Sequence, residues 1–272
     1  MRIVIFVPWI VGLVFASSFG EAAVIDRDIA LAMSFDEAGV RDLSPHGNDG
    51  VLKAGARKVE GKFGKALSLN GSNQHVEIKN HDSLILFRSD FTMAVWLNFA
   101  TAPPKGTRGV EGFSIMSHDE GPGSTDKWIW WYTGGAIHLH IHIKNCFCGK
   151  AATAWINSDR WAADLDEWHQ VALVRVGNKY AYYLNGEPFG EFDDNTDPTP
   201  MPKTIDSDFL IGWSEGPFFF SGLLDEILIV KRPLSQEEIL SHFQGGLSGF
   251  LSVQPYDKLS TTWANLKVEA LH

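Results

Sequence analysis

Alternation of apolar and polar residues is clearest between Trp168 and Gly186, where two short apolar runs follow one another. The first run ends at Gly177-Asn178, and the second ends at Asn185-Gly186. The apolar residues are Val171, Leu173, Val174 and Val176 in the first run, and Tyr180, Tyr182 and Leu184 in the second. An Asn-Gly turn suits type I′ geometry because both residues tolerate positive φ. The segment therefore predicts consecutive antiparallel hairpins.

Residues 209–243 predict a strand, a loop, a second strand and one short helix. Ser235 and Glu238 have the spacing of a capping box, in which each side chain accepts a hydrogen bond from the backbone N–H of the other residue. The apolar stripe of that helix consists of Ile239, Leu240 and Phe243. A β domain is therefore expected to close with a small helix.

These two stretches, in this order, resemble the laminin G-like domains of the concanavalin A-like lectin/glucanase superfamily. The resemblance covers residues 28–244 and includes ALAMSFDE (30–37), DLSPHGNDG (42–50), GKFGKALSLNGSNQHVEI (61–78) and FTMAVWLNF (91–99). It implies an all-β fold, a concanavalin A-like jelly-roll sandwich of two antiparallel sheets, one of them concave, with one short C-terminal helix. This scaffold carries binding modules, enzymes and structural units, so it implies a fold more firmly than a function.

The composition is consistent with one large sandwich. The chain has 272 residues, of which 44% are hydrophobic and 26 are Gly, enough apolar material for a single extensive core. Its formal charge is −10. Nonspecific binding to nucleic acid or to anionic lipid needs clustered Lys and Arg, so neither partner is expected.

The N-terminus has the layout of a secretory signal peptide. Arg2 precedes a mostly apolar run over residues 3–15, and small residues follow it, with cleavage expected after Gly20 or Ala22. The alternative is an uncleaved anchor. A spanning helix needs about 20 apolar residues, whereas this run is shorter and contains Pro8.

We therefore expect three parts: a signal peptide over residues 1–22, a jelly-roll domain over residues 28–244, and a C-terminal extension over residues 245–272. The extension is either an extra strand or the remnant of a linker. Since no later segment is long and apolar enough to cross a membrane, we expect no membrane span after cleavage. The expected location is secreted, periplasmic or associated with the cell envelope.

Cys146 and Cys148 are the two cysteines of the chain. A disulfide is chemically permitted in an exported protein, but a bond across one intervening residue makes a strained ring. Two free thiols are the alternative. A zinc site is disfavoured, because paired zinc-binding cysteines normally have two or more residues between them and a second pair elsewhere.

Members of the superfamily often hold a calcium ion near one end of the sandwich. The resemblance implies that Asp36, Asn48 and Asp225 are the candidate ligands here, and that a bound calcium would be structural. Calcium takes six to eight oxygen ligands, which side chains and turn carbonyls can supply. The alternative is that the acidic residues cap turns by accepting hydrogen bonds from backbone N–H groups.

The segment IHLHIHI over residues 137–143 alternates without a break, so His138, His140 and His142 share one face of a strand. Neighbouring histidines on that face are about 6.7 Å apart along the strand, so two of them could share a zinc ion if another strand supplied a third ligand. The other interpretation, which we favour, is a polar sheet face that is solvated or lines a ligand groove.

Several tryptophans lie close in sequence to these histidines. Aromatic rings stack on the C–H faces of sugars, and binding pockets combine such rings with a few fixed polar groups. The predicted ligand-binding surface consists of Trp130, Trp131, His138, His140, His142 and Trp155. Alternation along residues 128–132 places neighbouring aromatic residues on opposite faces, so some of the cluster must belong to the core.

A glycoside hydrolase needs two carboxyl groups that flank the scissile bond. The strand-borne acidic pair is Asp225-Glu226, and adjacent strand positions point to opposite faces. The sequence therefore favours an exported, noncatalytic module that binds a glycan or another extracellular ligand. Two alternatives stay open: a glycan lyase or hydrolase that uses the His138–His142 face, and a protein-interaction or adhesion module.

Overall fold

The computed structural model describes residues 27–87, 89–102, 112–123, 125–144, 152–194 and 201–252. In these residues two antiparallel β-sheets pack face to face, and one helix covers part of one sheet. The predicted all-β jelly-roll sandwich with a C-terminal helix is therefore confirmed. The predicted signal peptide, Cys146 and Cys148, and residues 253–272 of the predicted extension lie outside the described residues.

In the eight-stranded sheet seven strands follow one another, and the eighth strand pairs with one of them outside this order. In spatial order its strands are β13 (Glu187–Asp193), β12 (Lys179–Leu184), β11 (Trp168–Val176), β6 (Phe91–Phe99), β15 (Ser221–Val230), β4 (Lys65–Asn70) and β3 (Arg57–Glu60), with β1 (Ile29–Met33) paired to β15. The seven-stranded sheet consists of β10 (Ala152–Asn157), β9 (Ala136–Ile143), β8 (Lys127–Thr133), β7 (Phe113–Asp119), β14 (Phe209–Ile211), β5 (His75–Ile78) and β2 (Gly50–Lys53). The remaining elements are a 3₁₀ turn (Asp82–Leu84) and α1 (Gln236–Ser252).

The two predicted hairpins are β11–β12 and β12–β13. In the first turn Gly177 has a φ of 59°, so Gly takes the position where a side chain would be strained. In the second turn both Asn185 and Gly186 have positive φ, 53° and 82°, as a type I′ turn requires. The turn residues thus set the register of three neighbouring strands.

The main core lies between the sheets and is formed by the inward-facing residue of each alternating pair. Leu97 and Leu173 in one sheet and Leu139 and Ile211 in the other are completely buried there. Burying a side chain of this size stabilises the fold by roughly 1.5–3 kcal/mol. Alternation along the strands therefore decides which residues remain for the two outer faces.

Helix α1 covers the outer face of the eight-stranded sheet. Its start has the predicted capping box: the Ser235 backbone N–H donates to the Glu238 carboxylate at 2.9 Å, and the Glu238 N–H donates to the Ser235 hydroxyl at 3.3 Å. The helical segment breaks at Gly245 and Gly246 and then continues to residue 252. The first residues of the predicted C-terminal extension are thus helical, and they add buried Leu247 and Phe250 to a second apolar cluster. No helix among the described residues has the length and apolar character needed to span a membrane.

Strand β15 contains a bulge at Asp225 and Glu226, where its pairing with β6 shifts. Before the bulge one edge of β15 pairs with β4, and after it the same edge pairs with β1. The buried Asp225 carboxylate accepts hydrogen bonds from the backbone N–H groups of Lys62 and Phe63, at 2.9 and 3.1 Å. Glu226 accepts one from the backbone N–H of Leu247. The two acidic side chains therefore connect the bulge to a turn and to α1.

We predict that Asp225→Ala lowers the free energy of unfolding by about 2–3 kcal/mol, because the N–H groups of the 61–63 turn lose their acceptor. Urea unfolding, followed by tryptophan fluorescence, measures this change. Glu60→Ala is the control, since Glu60 is an exposed acidic residue on β3 and its loss should cost less than about 0.5 kcal/mol. Equal effects of the two substitutions would contradict the role of Asp225.

Candidate ligand-binding face

The three predicted histidines lie on the outer face of the seven-stranded sheet, the side turned away from the core. Along β9 they alternate with core residues. The core-facing residues are Ile137, Leu139, Ile141 and Ile143. The predicted assignment of the two faces of this strand is therefore correct. We call the outer surface of β8, β9 and β10 the histidine face.

Pairing between these strands brings His140, Trp131 and Trp155 together. Trp155 lies directly opposite His140 in the β10–β9 ladder, and Trp131 lies opposite the neighbouring His138 in the β8–β9 ladder. The ring centroids of His140 and Trp155 are 4.0 Å apart, and those of Trp155 and Trp131 are 5.9 Å apart. These three rings form one aromatic stack, in which the His140 ring is tilted by 36° to that of Trp155. Trp155 and His140 are partly exposed, but Trp131 is buried beneath them, so its prediction as a residue that contacts the ligand is corrected here.

Trp130 does not belong to this surface, and its prediction as a ligand-binding residue is corrected here. Its side chain points to the opposite face, lies in the core between the sheets and is fully buried. The period-two alternation of β8 separates it from Trp131. An external ligand therefore has no access to Trp130.

His138 and His142 are on the histidine face, but both are buried and hydrogen-bonded within the protein. One ring nitrogen of His138 bonds the Thr133 carbonyl oxygen at 2.9 Å, and the other bonds the Asn157 side chain. Nδ1 of His142 bonds the Thr125 carbonyl oxygen at 2.7 Å. Within the described residues, the three histidines are not part of any group of three metal-ligating side chains. The His138 contacts join the ends of β8 and β10, and the His142 contact holds the segment before β8 against the sheet.

His140 differs from its two neighbours because its Nδ1 atom is buried without a hydrogen-bond partner among the described residues. The same is true of Nε1 of Trp131 and of the hydroxyl of Ser114, which lies opposite Trp131 on β7. Burial, with smaller contributions from nearby Lys127 and His142, lowers the pKa of His140 to about 4. The ring is therefore neutral at physiological pH and can donate or accept a hydrogen bond.

An ion cluster that the sequence analysis missed lies beside the stack. Lys127 is 1% exposed, and its ammonium group is 2.5 Å from the Glu215 carboxylate and 3.6 Å from that of Asp119. It also donates to the Gly121 carbonyl oxygen at 2.6 Å. Burial raises the pKa of Glu215, although Lys127 opposes the change. The cluster connects two loops to the sheet. The signal in the sequence was Lys127, a lysine at an outward-facing position of a strand.

A second aromatic group, also missed, consists of His75, Trp213 and Phe219. Trp213 and Phe219 are stacked with an interplanar angle of 5° and centroids 5.3 Å apart, and His75 lies 4.9 Å from Trp213. All three are partly exposed. Between them and the first stack, Phe218 meets Trp131 edge to face at 5.2 Å. The aromatic-rich sequence of the 213–220 loop was the available signal for this group.

The three predicted calcium ligands make internal hydrogen bonds. Asp36 accepts one from the Lys65 N–H at 2.7 Å. The Asn48 amide donates to the Ala30 carbonyl oxygen at 2.9 Å and to the Ser83 hydroxyl at 2.8 Å. Asp225 accepts hydrogen bonds from the N–H groups of Lys62 and Phe63, as described above, and from that of its neighbour Glu226 at 2.9 Å. Asp36 and Asp225 thus accept hydrogen bonds from backbone N–H groups, as the alternative interpretation expects, whereas Asn48 donates to its partners. Calcium binding by these residues stays a prediction.

A family model of the concanavalin A-like lectin/glucanases superfamily matches residues 70–240. Because the match spans more than half of the chain, this protein belongs to that superfamily, and the resemblance seen in the sequence is confirmed. No match to a curated protein was found.

Solved structures with this fold include two toxin binding domains and one domain of an arabinanase. The binding domain of Paraclostridial Mosquitocidal Protein 1 has a TM-score of 0.60 and 16% identity over 79% of this chain and 52% of its own. The binding domain of botulinum neurotoxin serotype D has a TM-score of 0.58 and 13% identity over 81% of this chain and 52% of its own.

A third structure is domain 4 of AbnA, an extracellular GH43 arabinanase from Geobacillus stearothermophilus, solved in complex with arabinotriose. It has a TM-score of 0.55 and 16% identity over 78% of this chain and 97% of its own. This chain therefore spans about half the length of the two toxin domains. At these identities the likeness shows the fold.

We predict that the His140 ring titrates near pH 4 and stays neutral from pH 5 to pH 8. In the unfolded chain a histidine ring takes up its proton near pH 6.5, whereas the buried ring does not. His140 therefore costs stability as the pH falls from about 6.5 to about 4, and this cost is absent at higher pH. Two-dimensional NMR of the histidine rings, assigned with His140→Gln, measures the pKa. A His140 signal that titrates between pH 6 and 7 would contradict the burial argument.

Proposed function

We propose that this protein is an exported, noncatalytic binding module that recognises a glycan on the histidine face. The observation that carries the proposal is the partly exposed pair of Trp155 and His140, whose ring centroids are 4.0 Å apart, with Trp155 stacked on the buried Trp131. Exposed aromatic surface beside a polar ring is what a ligand with both C–H and hydroxyl groups requires.

A sugar ring satisfies both requirements at once. Its C–H face packs on an aromatic ring, and its hydroxyl groups accept or donate hydrogen bonds. The His140 ring is partly exposed and neutral, so it can exchange a hydrogen bond with a hydroxyl group of a sugar that packs on Trp155.

The face is held in one shape before a ligand arrives. His138 bonds the carbonyl group at the end of β8, His142 bonds a carbonyl group of the loop before β8, and Lys127 joins Asp119 to Glu215. Rigid sites lose less conformational entropy on binding, which increases affinity. The second aromatic group around Trp213 offers a further stacking surface for a ligand longer than one sugar ring.

Two findings from the comparisons support the proposal. Two neighbours of known structure are toxin binding domains, and a third, domain 4 of an arabinanase, was solved in complex with arabinotriose. Export of the protein through an N-terminal signal peptide, and a structural calcium ion at Asp36, Asn48 and Asp225, are part of the same proposal. Both are consistent with an extracellular ligand.

The first experiment is a broad glycan array probed with the purified protein, once with calcium and once with EGTA. Arabino-oligosaccharides should be included in the panel. We expect at least one glycan to bind, and Trp155→Ala and His140→Ala each to weaken that binding by roughly tenfold or more, as expected for the loss of a stacking ring. Isothermal titration calorimetry with the array hit measures the change in Kd.

Trp168→Ala is the matched control, because Trp168 is a partly exposed tryptophan at the start of β11, in the other sheet. It should leave the Kd unchanged. A blank array in both buffers would overturn glycan recognition, and a hit that survives both Trp155→Ala and His140→Ala would overturn this location. Sensitivity to EGTA would support the calcium ion, and equal binding in both buffers would count against its role in recognition.

A further inference from the structure

The turn that leads into β11 brings together three potential metal ligands that belong to neither the histidine face nor the predicted calcium set. Asp164, Glu167 and His169 each offer one ligand atom, and these atoms all lie within 4.8 Å of one another. Three ligands of one zinc ion, each at about 2.0–2.2 Å, are roughly 3–4 Å apart. Both carboxylates are exposed, so a small rotation of their side chains closes the remaining distance.

The buried, unpaired imidazole of His169 distinguishes this group from an ordinary cluster of surface carboxylates. The residue is 8% exposed, and neither of its ring nitrogens has a hydrogen-bond partner among the described residues. Buried polar side chains nearly always have a partner, and an unpaired one needs an explanation. A bound ion beside Asp164 and Glu167 supplies one, since a metal ion takes the lone pair of a ring nitrogen.

The neighbouring side chains pack against the His169 ring but form no hydrogen bond with it. His169 lies opposite Leu97 in the β11–β6 ladder, and the Trp161 ring meets it edge to face at 4.7 Å. These apolar neighbours fix the direction of the imidazole.

The two carboxylates flank an anchored turn. The backbone N–H of Asp166 donates to the Phe99 carbonyl oxygen at 3.0 Å, and Leu165 forms an isolated bridge with Phe99. Asp166 has a φ of 58°, so the turn between Asp164 and Glu167 contains a residue in the left-handed region. Asp164 and Glu167 thus lie close to His169, the second residue of β11.

We propose that Asp164, Glu167 and His169 bind a divalent transition-metal ion, with zinc as the expected metal. An imidazole nitrogen with two carboxylate oxygens suits a borderline ion, whereas calcium prefers oxygen ligands alone and takes six to eight of them. Three protein ligands leave one tetrahedral position of zinc for water or for a group of a bound molecule. Such an ion ties the loop that contains Trp161 to the first residues of β11.

The test is equilibrium dialysis of the tag-free, full-length protein against zinc, with calcium and magnesium as comparison ions. We expect one zinc ion per chain at micromolar concentration or below, and a rise in Tm with zinc that calcium does not reproduce. Asp164→Asn and Glu167→Gln should each weaken zinc binding at least tenfold, and His169→Gln should abolish it. The two carboxylates are exposed, so the first two variants keep the fold intact.

Asp166→Asn is the matched control. It removes the same charge within the same turn, and Asn tolerates a positive φ at that position. Zinc binding unchanged in Asp166→Asn but lost in the other variants would support the site. Binding retained in Asp164→Asn and Glu167→Gln, or lost equally in Asp166→Asn, would overturn it, as would the absence of binding below millimolar zinc.

Discussion

The bulge at Asp225 and Glu226 is the constraint on which the arrangement of the eight-stranded sheet depends. One edge of β15 needs two partners, β4 for residues 221–224 and β1 for residues 227–230, while its other edge follows β6. Glu226 adopts a φ of 51° where the partner changes, a conformation that costs an ordinary residue free energy. The buried carboxylates offset that cost by accepting hydrogen bonds from backbone N–H groups that regular pairing leaves free.

These carboxyl groups are not favourable charges in themselves. Burial raises the pKa of Asp225 to about 8 and that of Glu226 to about 7, even though backbone N–H groups act in the opposite direction. Their contribution is therefore geometric, because each is the acceptor that fixes one neighbouring segment to the bulge. His242 extends the arrangement: it is fully buried in α1, and its ring bonds the carbonyl oxygen of Glu226 at 2.9 Å.

Local chemistry made much of the fold predictable. The turns at Gly177 and Asn185 need particular φ values, the Ser235–Glu238 box needs a fixed spacing, and alternation along residues 137–143 separates the two faces of one strand. Each of these depends on residues within a few positions of one another. The bulge was not predictable in this way, because the partners of Asp225 are more than 160 residues earlier in the chain.

The candidate site shows the same division. Alternation correctly placed the three histidines on one face, but it gave no measure of which of them other segments cover. His138 and His142 are buried and bonded to strand ends and to a loop, and these contacts have no sequence period. The aromatic group around Trp213 comes from a loop whose position depends on β14 and β5. Trp130 was predicted to bind a ligand because it is close in sequence to Trp131 and to the histidines. Adjacent residues of a strand face opposite sides, and Trp130 faces the core.

The carboxyl groups beside the histidine face are held by internal contacts. Hydrolysis of a glycosidic bond requires one carboxyl group that donates a proton and a second that acts as base or nucleophile, both in contact with the substrate. Asp119 and Glu215 share Lys127, and Asp119 also accepts hydrogen bonds from the backbone N–H groups of Gly121 and Glu215. Carboxylates held in this way support loops. Of the aromatic stack, the rings of Trp155 and His140 are partly exposed, and the proposed glycan recognition depends on them.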